Sequence, residues 1–111
     1  MAKATPKRLD DTLLALSDNT RREILRKLTQ GEQRVTDLAE RFPISLNSVS
    51  KHIRILERAG LVHRRRAGRE HFLSFEPRPL DEAALWMDRQ REQWAQLAVE
   101  DAKKSKNKAK R

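Results

Sequence analysis

The clearest hydrophobic pattern in the chain lies within residues 44–60. Its apolar positions recur at intervals of four and three residues, which places them on one face of a helix. These positions are Val49, Ile53 and Leu56. Ser45 is a favourable N-cap, and Gly60 suits the left-handed residue that follows a helix. The pattern therefore predicts a helix over 45–58 with both of its ends marked.

The opposite face of this predicted helix is polar. At about 100° per residue, Asn47, Lys51, Arg54 and Arg58 fall together, away from the apolar face. An amide and several cations on the outer face of a helix are typical of recognition helices that enter the DNA major groove. We therefore interpret residues 45–58 as a DNA recognition helix.

Three short amphipathic helices are predicted before this one. The first begins at Arg8 and carries an apolar stripe of Leu9, Leu13 and Leu16. The second is capped by Ser17 or Asp18 and runs to about Leu28, with Arg21, Arg22, Arg26 and Lys27 interpreted as a solvated face. The third begins at Thr36 and is closed by Pro43. A short helix, a tight turn and an amphipathic second helix form a helix-turn-helix.

A β-hairpin is predicted directly after the recognition helix. Apolar and polar residues alternate over 70–75, and Ala67 and Gly68 supply a tight turn. A basic hairpin in this place is typical of a winged helix. The predicted fold class is mainly α, a winged helix-turn-helix of about five helices with a two-stranded wing.

The last predicted helix runs from Leu80 to Lys103 after two prolines. Its apolar stripe consists of Ala83, Met87, Trp94 and Leu97. Either this helix packs back on its own domain, or it pairs with the first helix and with the same two helices of a second copy. The excess apolar surface on both helices favours the homodimer, with Leu9, Leu13, Leu16 and the last stripe at its interface.

Charge is distributed unevenly along the 111 residues. The net charge of +9 includes +5 from residues 45–71 and +6 from residues 103–111, whereas residues 81–102 carry −4. The region around the recognition helix is thus basic independently of the tail, as binding to a polyanion requires. We expect a disordered basic arm over 1–7, one domain over 8–102, and a disordered lysine-rich tail over 103–111.

Several functional classes find no support in the sequence. The chain has no cysteine, which excludes disulfides, thiol catalysis and thiolate metal sites. It has no signal peptide and no apolar run of membrane-spanning length, so a cytoplasmic protein without membrane contact is expected. There is no glycine-rich phosphate loop and no nucleophile with a matching base. We therefore expect neither an enzyme nor a resident cofactor.

Four segments resemble the ArsR/SmtB family of bacterial winged-helix repressors. They are LALSDNTRREIL at 14–25, VTDLAE at 35–40, SVSKHIRIL at 48–56 and AGLV at 59–62. The likeness covers roughly residues 9–98. It implies a homodimer joined by the first and last helices, with two recognition helices in successive major grooves of a two-fold symmetric operator. It also implies repression that an inducer relieves.

The chain departs from the family at the positions where other members bind the effector that they sense. Metal-sensing members carry cysteines within the segment that here reads 32–38, and others use histidine on the last helix, where 80–103 has none. His52, His63 and His71 occupy separate predicted elements and do not suggest one coordination shell. No metal is therefore expected, and the effector stays open. Leu46 stands where many relatives have glutamine, so the family does not predict the operator sequence.

The candidate DNA contacts divide into two groups. Asn47, Ser48 and Lys51 lie in the first two turns of the recognition helix and are predicted to contact bases. The residues predicted to contact the backbone, from the helix and from the wing, are Ser45, His52, Arg54, Arg58, Arg65, Arg66 and Arg69. A second hypothesis is a non-specific architectural DNA- or RNA-binding protein that depends on the basic tail.

Overall fold

Four helices with one short strand between the second and third precede the wing, and a long helix follows it. The computed structural model describes residues 5–109, with side chains through residue 105. The described elements are α1 (Pro6–Leu16), α2 (Asn19–Leu28), β1 (Gln33–Arg34), α3 (Val35–Ala39), α4 (Leu46–Arg58), β2 (Val62–Ala67), β3 (Glu70–Phe75) and α5 (Arg78–Ala109). The predicted mainly α fold with five helices and a wing is confirmed.

The first helix begins earlier than predicted. The Thr5 side chain accepts a hydrogen bond from the Arg8 backbone N–H at 3.2 Å, and Pro6 occupies the first turn. A capping threonine and a proline at the first helical position both favour initiation there. The expected disordered arm over 1–7 is therefore wrong for residues 6 and 7, and residues 1–4 lie outside the described part.

The core lies between α2, α3, α4 and the sheet. Its largest fully buried side chains come from each of these elements and from the loop after α4. They are Ile24, Leu38, Val49, Ile53, Leu56, Leu61 and Leu73. Burying one such aliphatic side chain contributes about 1.5 to 3 kcal/mol. Packing against this cluster thus holds α4 with one face inward, as its sequence pattern predicts.

The sheet has one strand more than predicted. Three antiparallel strands stand in the order β1-β3-β2, with Gln33 opposite Leu73 and Val62 opposite Phe75. The turn between β2 and β3 places Gly68 at φ +64°, where a glycine costs no strain. The additional strand β1 has only two residues, too few for an alternating pattern to reveal.

The last helix continues beyond its predicted end. It spans 32 residues, about 48 Å at 1.5 Å per residue, and Pro79 is tolerated because it lies in the first turn. The predicted end at Lys103 and the expected disorder from 103 are wrong through Ala109, since lysine and alanine are good helix formers and cations suit a helix C-terminus. Residues 110 and 111 lie outside the described part.

Candidate nucleic-acid interface

Helix α4 is held in place by a cap at its start and by the core along its length. The Ser45 hydroxyl accepts a hydrogen bond from the Ser48 backbone N–H at 3.1 Å, and the Ser45 hydroxyl donates to Ser48 Oγ at 3.0 Å. Gly60 follows the last turn with φ +74°. The predicted caps of this helix are thus confirmed, and both serine hydroxyls are engaged in the cap.

The outer face of α4 is open to solvent. Asn47, Lys51, Arg54 and Arg58 are all exposed, whereas the three predicted apolar positions are fully buried. Within residues 5–109, no hydrogen bond or ion pair engages any of these four side chains. Three cations and one amide on this helix can therefore bind a ligand without losing contacts within the chain. Ser48 is half-buried at the edge of this face.

A groove separates α4 from the wing. It has a volume of about 240 Å³ and is bounded by the first turns of α4, the start of α3 and both wing strands. Leu46, 52% exposed, and the half-buried Ser50 line its α4 side, while Arg69 and His71 line its wing side. Ser50 was not among the predicted contacts, because helical periodicity places it at the edge of the polar face and says nothing of the facing hairpin.

The wing cations differ in how firmly the protein already holds them. Arg65 donates to Glu32 at 2.6 Å, and its guanidinium lies 4.6 Å from the centre of the Phe72 ring. The hydrogen bond from Arg65 lowers the pKa of the Glu32 carboxyl, and the same bond raises the pKa of Arg65. Arg64, not predicted as a contact, pairs with Glu57 at 2.7 Å. Both guanidiniums are therefore engaged within the chain.

The remaining two wing cations are more available. Arg66 and Arg69 are exposed near the turn between the strands. Arg66 makes one hydrogen bond, from Nε to the Gly68 carbonyl oxygen at 3.1 Å, and this leaves its terminal nitrogens open. For Arg69, the described part of the chain offers no ion pair. The tip of the wing thus carries two accessible cations, Arg66 and Arg69, which stay predicted contacts of the DNA backbone.

His52 is half-buried and, by helical periodicity, lies nearer the packed side of α4 than its outer face. Its Nδ1 is 3.1 Å from Arg21 Nη1 and 3.8 Å from Asp18 Oδ2. The hydrogen bond from the Arg21 backbone N–H is the main cause that lowers the pKa of the Asp18 carboxyl, and the charge of Arg21 adds to it. Arg21 itself is buried, so its assignment to a solvated helix face is wrong. The hydrophobic pattern could not show this, because the partners of Arg21 are backbone carbonyls.

A second surface combines α1 with α5 and is apolar. The predicted interface residues Leu13, Met87, Trp94 and Leu97 are exposed, with Trp94 at 65%, and Leu9 and Leu16 are half-buried. Ala83 is only 1% exposed, so it is covered within its own chain and offers no surface for the dimer interface to which the sequence assigned it. Further exposed apolar side chains of these helices are Leu14, Leu85, Trp86 and Val99.

Over the residues that the structure describes, no group of three or more histidine, cysteine, aspartate or glutamate side chains is placed to hold a metal ion. Among the described helices, none combines the length and hydropathy that crossing a bilayer demands. The exposed polar face of α4, the wing tip and the apolar α1 and α5 surface are the features that a function has to explain.

Comparison with known proteins places these features in context. A family model described as a helix-turn-helix domain matches residues 16–65. The transcriptional repressor SdpR of Bacillus subtilis is 35% identical over 79 residues, which are 71% of this chain and 88% of the repressor.

Solved structures agree with the sequence relatives. The crystal structure of an ArsR family transcriptional regulator is 33% identical with a TM-score of 0.79, covering 85% of this chain and 97% of that one. An ArsR-like transcriptional regulator from Rhodococcus is 32% identical with a TM-score of 0.74, covering 84% and 88%. Similarity in sequence and fold therefore extends over most of the chain, including α4 and the wing.

Proposed function

The chain belongs to the ArsR family of transcriptional regulators, and we propose that it is a sequence-specific DNA-binding repressor that acts as a homodimer in the cytoplasm. The exposed polar face of α4 carries this proposal. It combines an amide and three cations opposite a fully buried face, in a helix capped at both ends. Such a helix can enter a major groove without giving up any contact that holds it in the fold.

Bases are read by the first two turns of α4. Asn47 can pair with adenine, and Lys51 can donate to guanine. Ser48 is the third proposed base contact, although its hydroxyl also takes part in the Ser45 cap. We assign these three positions to selectivity because side chains in the first turns of a recognition helix reach deepest into the groove.

Backbone contacts come from the flanks of α4 and from the wing. Ser45, His52, Arg54 and Arg58 are proposed to contact phosphates beside the major groove. Arg66 and Arg69 extend this set to the wing tip, where phosphates or a flanking minor groove can accept them. Arg65 belongs to the same set, but it has to leave Glu32 before it can contact DNA.

The operator is proposed to have two-fold symmetry. The exposed apolar stripe of Leu13, Met87, Trp94 and Leu97 on α1 and α5 supplies a surface that a second copy can cover. A two-fold dimer presents two α4 helices, and half-sites one helical turn apart lie about 34 to 36 Å from centre to centre. The proposal assigns no catalytic step, resident cofactor or membrane contact to the chain.

Selection of duplexes from a random pool by the purified full-length chain tests this function. Sequencing should reveal one enriched motif with two-fold symmetry. If no motif is enriched and binding depends on the basic tail, the result would instead support a non-specific architectural protein. A chain lacking residues 103–111 separates the two, because selective binding by α4 should survive this deletion, whereas binding through the tail should not.

A further inference from the structure

We propose that Arg21 is a positioning residue for DNA binding, which fixes the neutral Nε2–H form of His52 and directs that N–H to a DNA phosphate beside α4. This inference rests on the proposed function, because it supplies the geometry of one of the proposed backbone contacts. It concerns a side chain from α2, which has no place in the exposed polar face of α4 itself.

The Arg21 guanidinium is buried at the end of α1. Arg21 is 7% exposed. Its Nε donates to the Ala15 carbonyl oxygen at 2.9 Å, and its Nη2 donates to the Leu14 carbonyl oxygen at 2.9 Å and to Ser17 Oγ at 3.4 Å. The carbonyls at a helix C-terminus carry partial negative charge, which offsets the cost of burying the cation. The guanidinium is therefore anchored independently of His52.

The remaining nitrogen of this guanidinium determines the protonation of His52. Arg21 Nη1 lies 3.1 Å from His52 Nδ1. A guanidinium stays protonated in proteins and can only donate hydrogen bonds. The Nδ1 atom must consequently accept, and a neutral imidazole that accepts at Nδ1 carries its proton at Nε2. The tautomer follows from the chemistry of the donor.

The Nε2–H group is left available at the surface. No described residue forms a hydrogen bond with His52 Nε2, and this nitrogen is not fully buried. It lies on the opposite side of the ring from the anchored Nδ1. At about 100° per residue, His52 lies a quarter-turn or more around α4 from Lys51, on the side of the helix that contacts α2 through Arg21. A phosphate oxygen is the acceptor that DNA offers beside the major groove.

Asp18 is a second charged group close to the ring. Asp18 Oδ2 is 3.8 Å from Nδ1, too far for a hydrogen bond, and it already accepts from the Arg21 backbone N–H at 3.0 Å. Arg21 thus contacts the end of α1, the cap of α2 and the recognition helix at once. Loss of its fork should free the ring to rotate and to exchange tautomers while the core stays packed.

Nuclear magnetic resonance of the ring nitrogens tests the tautomer without DNA. At about pH 8.5, where imidazoles are ordinarily neutral, the full-length chain should show His52 protonated at Nε2. Arg21→Lys keeps the charge but loses the planar fork, and it should yield a mixture of tautomers. Arg22→Lys is the matched control, because Arg22 also donates to α1, at 2.7 Å to the Leu16 carbonyl oxygen, without being hydrogen-bonded to His52. A wild-type His52 protonated at Nδ1 would overturn the proposal.

Binding of the selected duplex supplies the second readout. His52→Phe and Arg21→Lys should each weaken binding about three- to tenfold, as loss of one hydrogen bond does, and the double variant should lose no more than either alone. The salt slope should stay unchanged, because a neutral donor displaces no counterion. His52→Gln, which can place an amide N–H near the Nε2 position, should restore most of the affinity.

The outcomes separate this inference from the proposed function. If the protein binds DNA selectively but the losses from His52→Phe and Arg21→Lys add in the double variant, the role of Arg21 would be refuted. The same holds if His52→Phe causes no loss. The proposed repressor function would stand in both cases. Absence of any selective duplex would refute the proposed function. In that case the predicted Nε2–H tautomer can still be measured on the free protein and stands or fails by itself.

Discussion

Lys51 and Arg66 are both exposed cations, yet they should affect DNA binding differently. Lys51→Ala should relax selectivity at one base pair by about 1 to 3 kcal/mol, because it removes a donor to a base edge. Arg66→Ala should weaken all duplexes alike and flatten the salt slope by about one unit, because it removes a phosphate contact. Repeating the duplex selection and the salt titration with each variant measures both effects. Unchanged selectivity in Lys51→Ala would contradict the groove assignment.

Glu32 should restrain the wing, since its carboxylate holds Arg65 at 2.6 Å. Glu32→Gln removes a negative charge and releases this guanidinium, so binding to duplexes of any sequence should strengthen at low salt. Fluorescence anisotropy with a short labelled duplex measures the change. Combining Glu32→Gln with Arg65→Ala should cancel most of the gain. A gain that persists in full would mean that Arg65 does not approach DNA.

Individual side chains show what a sequence can and cannot predict. Asn47 and Lys51 were predicted to be exposed because helical periodicity alone determines that they oppose the core. The role of Arg21 could not be predicted, since its partners are carbonyls of a preceding helix whose end was not located. The signal that could have suggested it is the position of Arg21 three residues after Asp18, which places it at the junction of α1 and α2.

The junction of α1 and α2 also predicts how stability depends on pH. Asp18 caps α2, and the hydrogen bond from the Arg21 backbone N–H lowers the pKa of its carboxyl. Because the folded pKa lies below the unfolded value, the contribution is fully present above the unfolded value and is lost as the pH falls through the folded one. Asn at position 18 retains a capping side chain without this charge.

The melting temperature of Asp18→Asn should therefore approach that of the wild type as the pH falls. The wild type should be the more stable at about pH 6, and the difference should shrink toward about pH 2.5, as the carboxylate is protonated. Circular dichroism at a series of pH values measures both melting temperatures. A difference that is constant over this range would show that the charge of Asp18 contributes nothing to folding.

Elements were predicted well where the sequence marks their ends. Ser45, Asp18 and Gly60 locate the ends of α2 and α4 because caps are chemical signals that act locally. Strand β1 was missed, since its pairing with β3 depends on residues about forty positions away. The extent of α5 was underestimated because a run of lysines suggests disorder, although lysine has good helix propensity. Local signals predicted boundaries, and long-range contacts did not follow from them.

At the scale of the whole molecule, α5 makes the protein elongated, with extents of 76 × 32 × 23 Å. Trp94 and Leu97 lie on the exposed stripe that should pair with a second copy. Replacing both by glutamate should give monomers with poor operator affinity, because charges would enter an apolar interface. Sedimentation velocity measures the mass. Val99→Glu is the control, since Val99 is also apolar but lies on the side of α5 away from Trp94 and Leu97. An unchanged dimer in the double variant would refute this interface.

Sequence recognition by α4 is tested by the affinities of the protein for two duplexes. The full-length chain is titrated at about 0.15 M salt with its selected duplex and with a scrambled duplex of the same length and composition. The selected duplex should bind at least about a thousandfold more tightly, and Asn47→Ala with Lys51→Ala should remove most of this ratio while binding of the scrambled duplex persists. Equal affinity for the two duplexes, or a ratio unaffected by the two substitutions, would contradict the proposal that α4 reads DNA sequence.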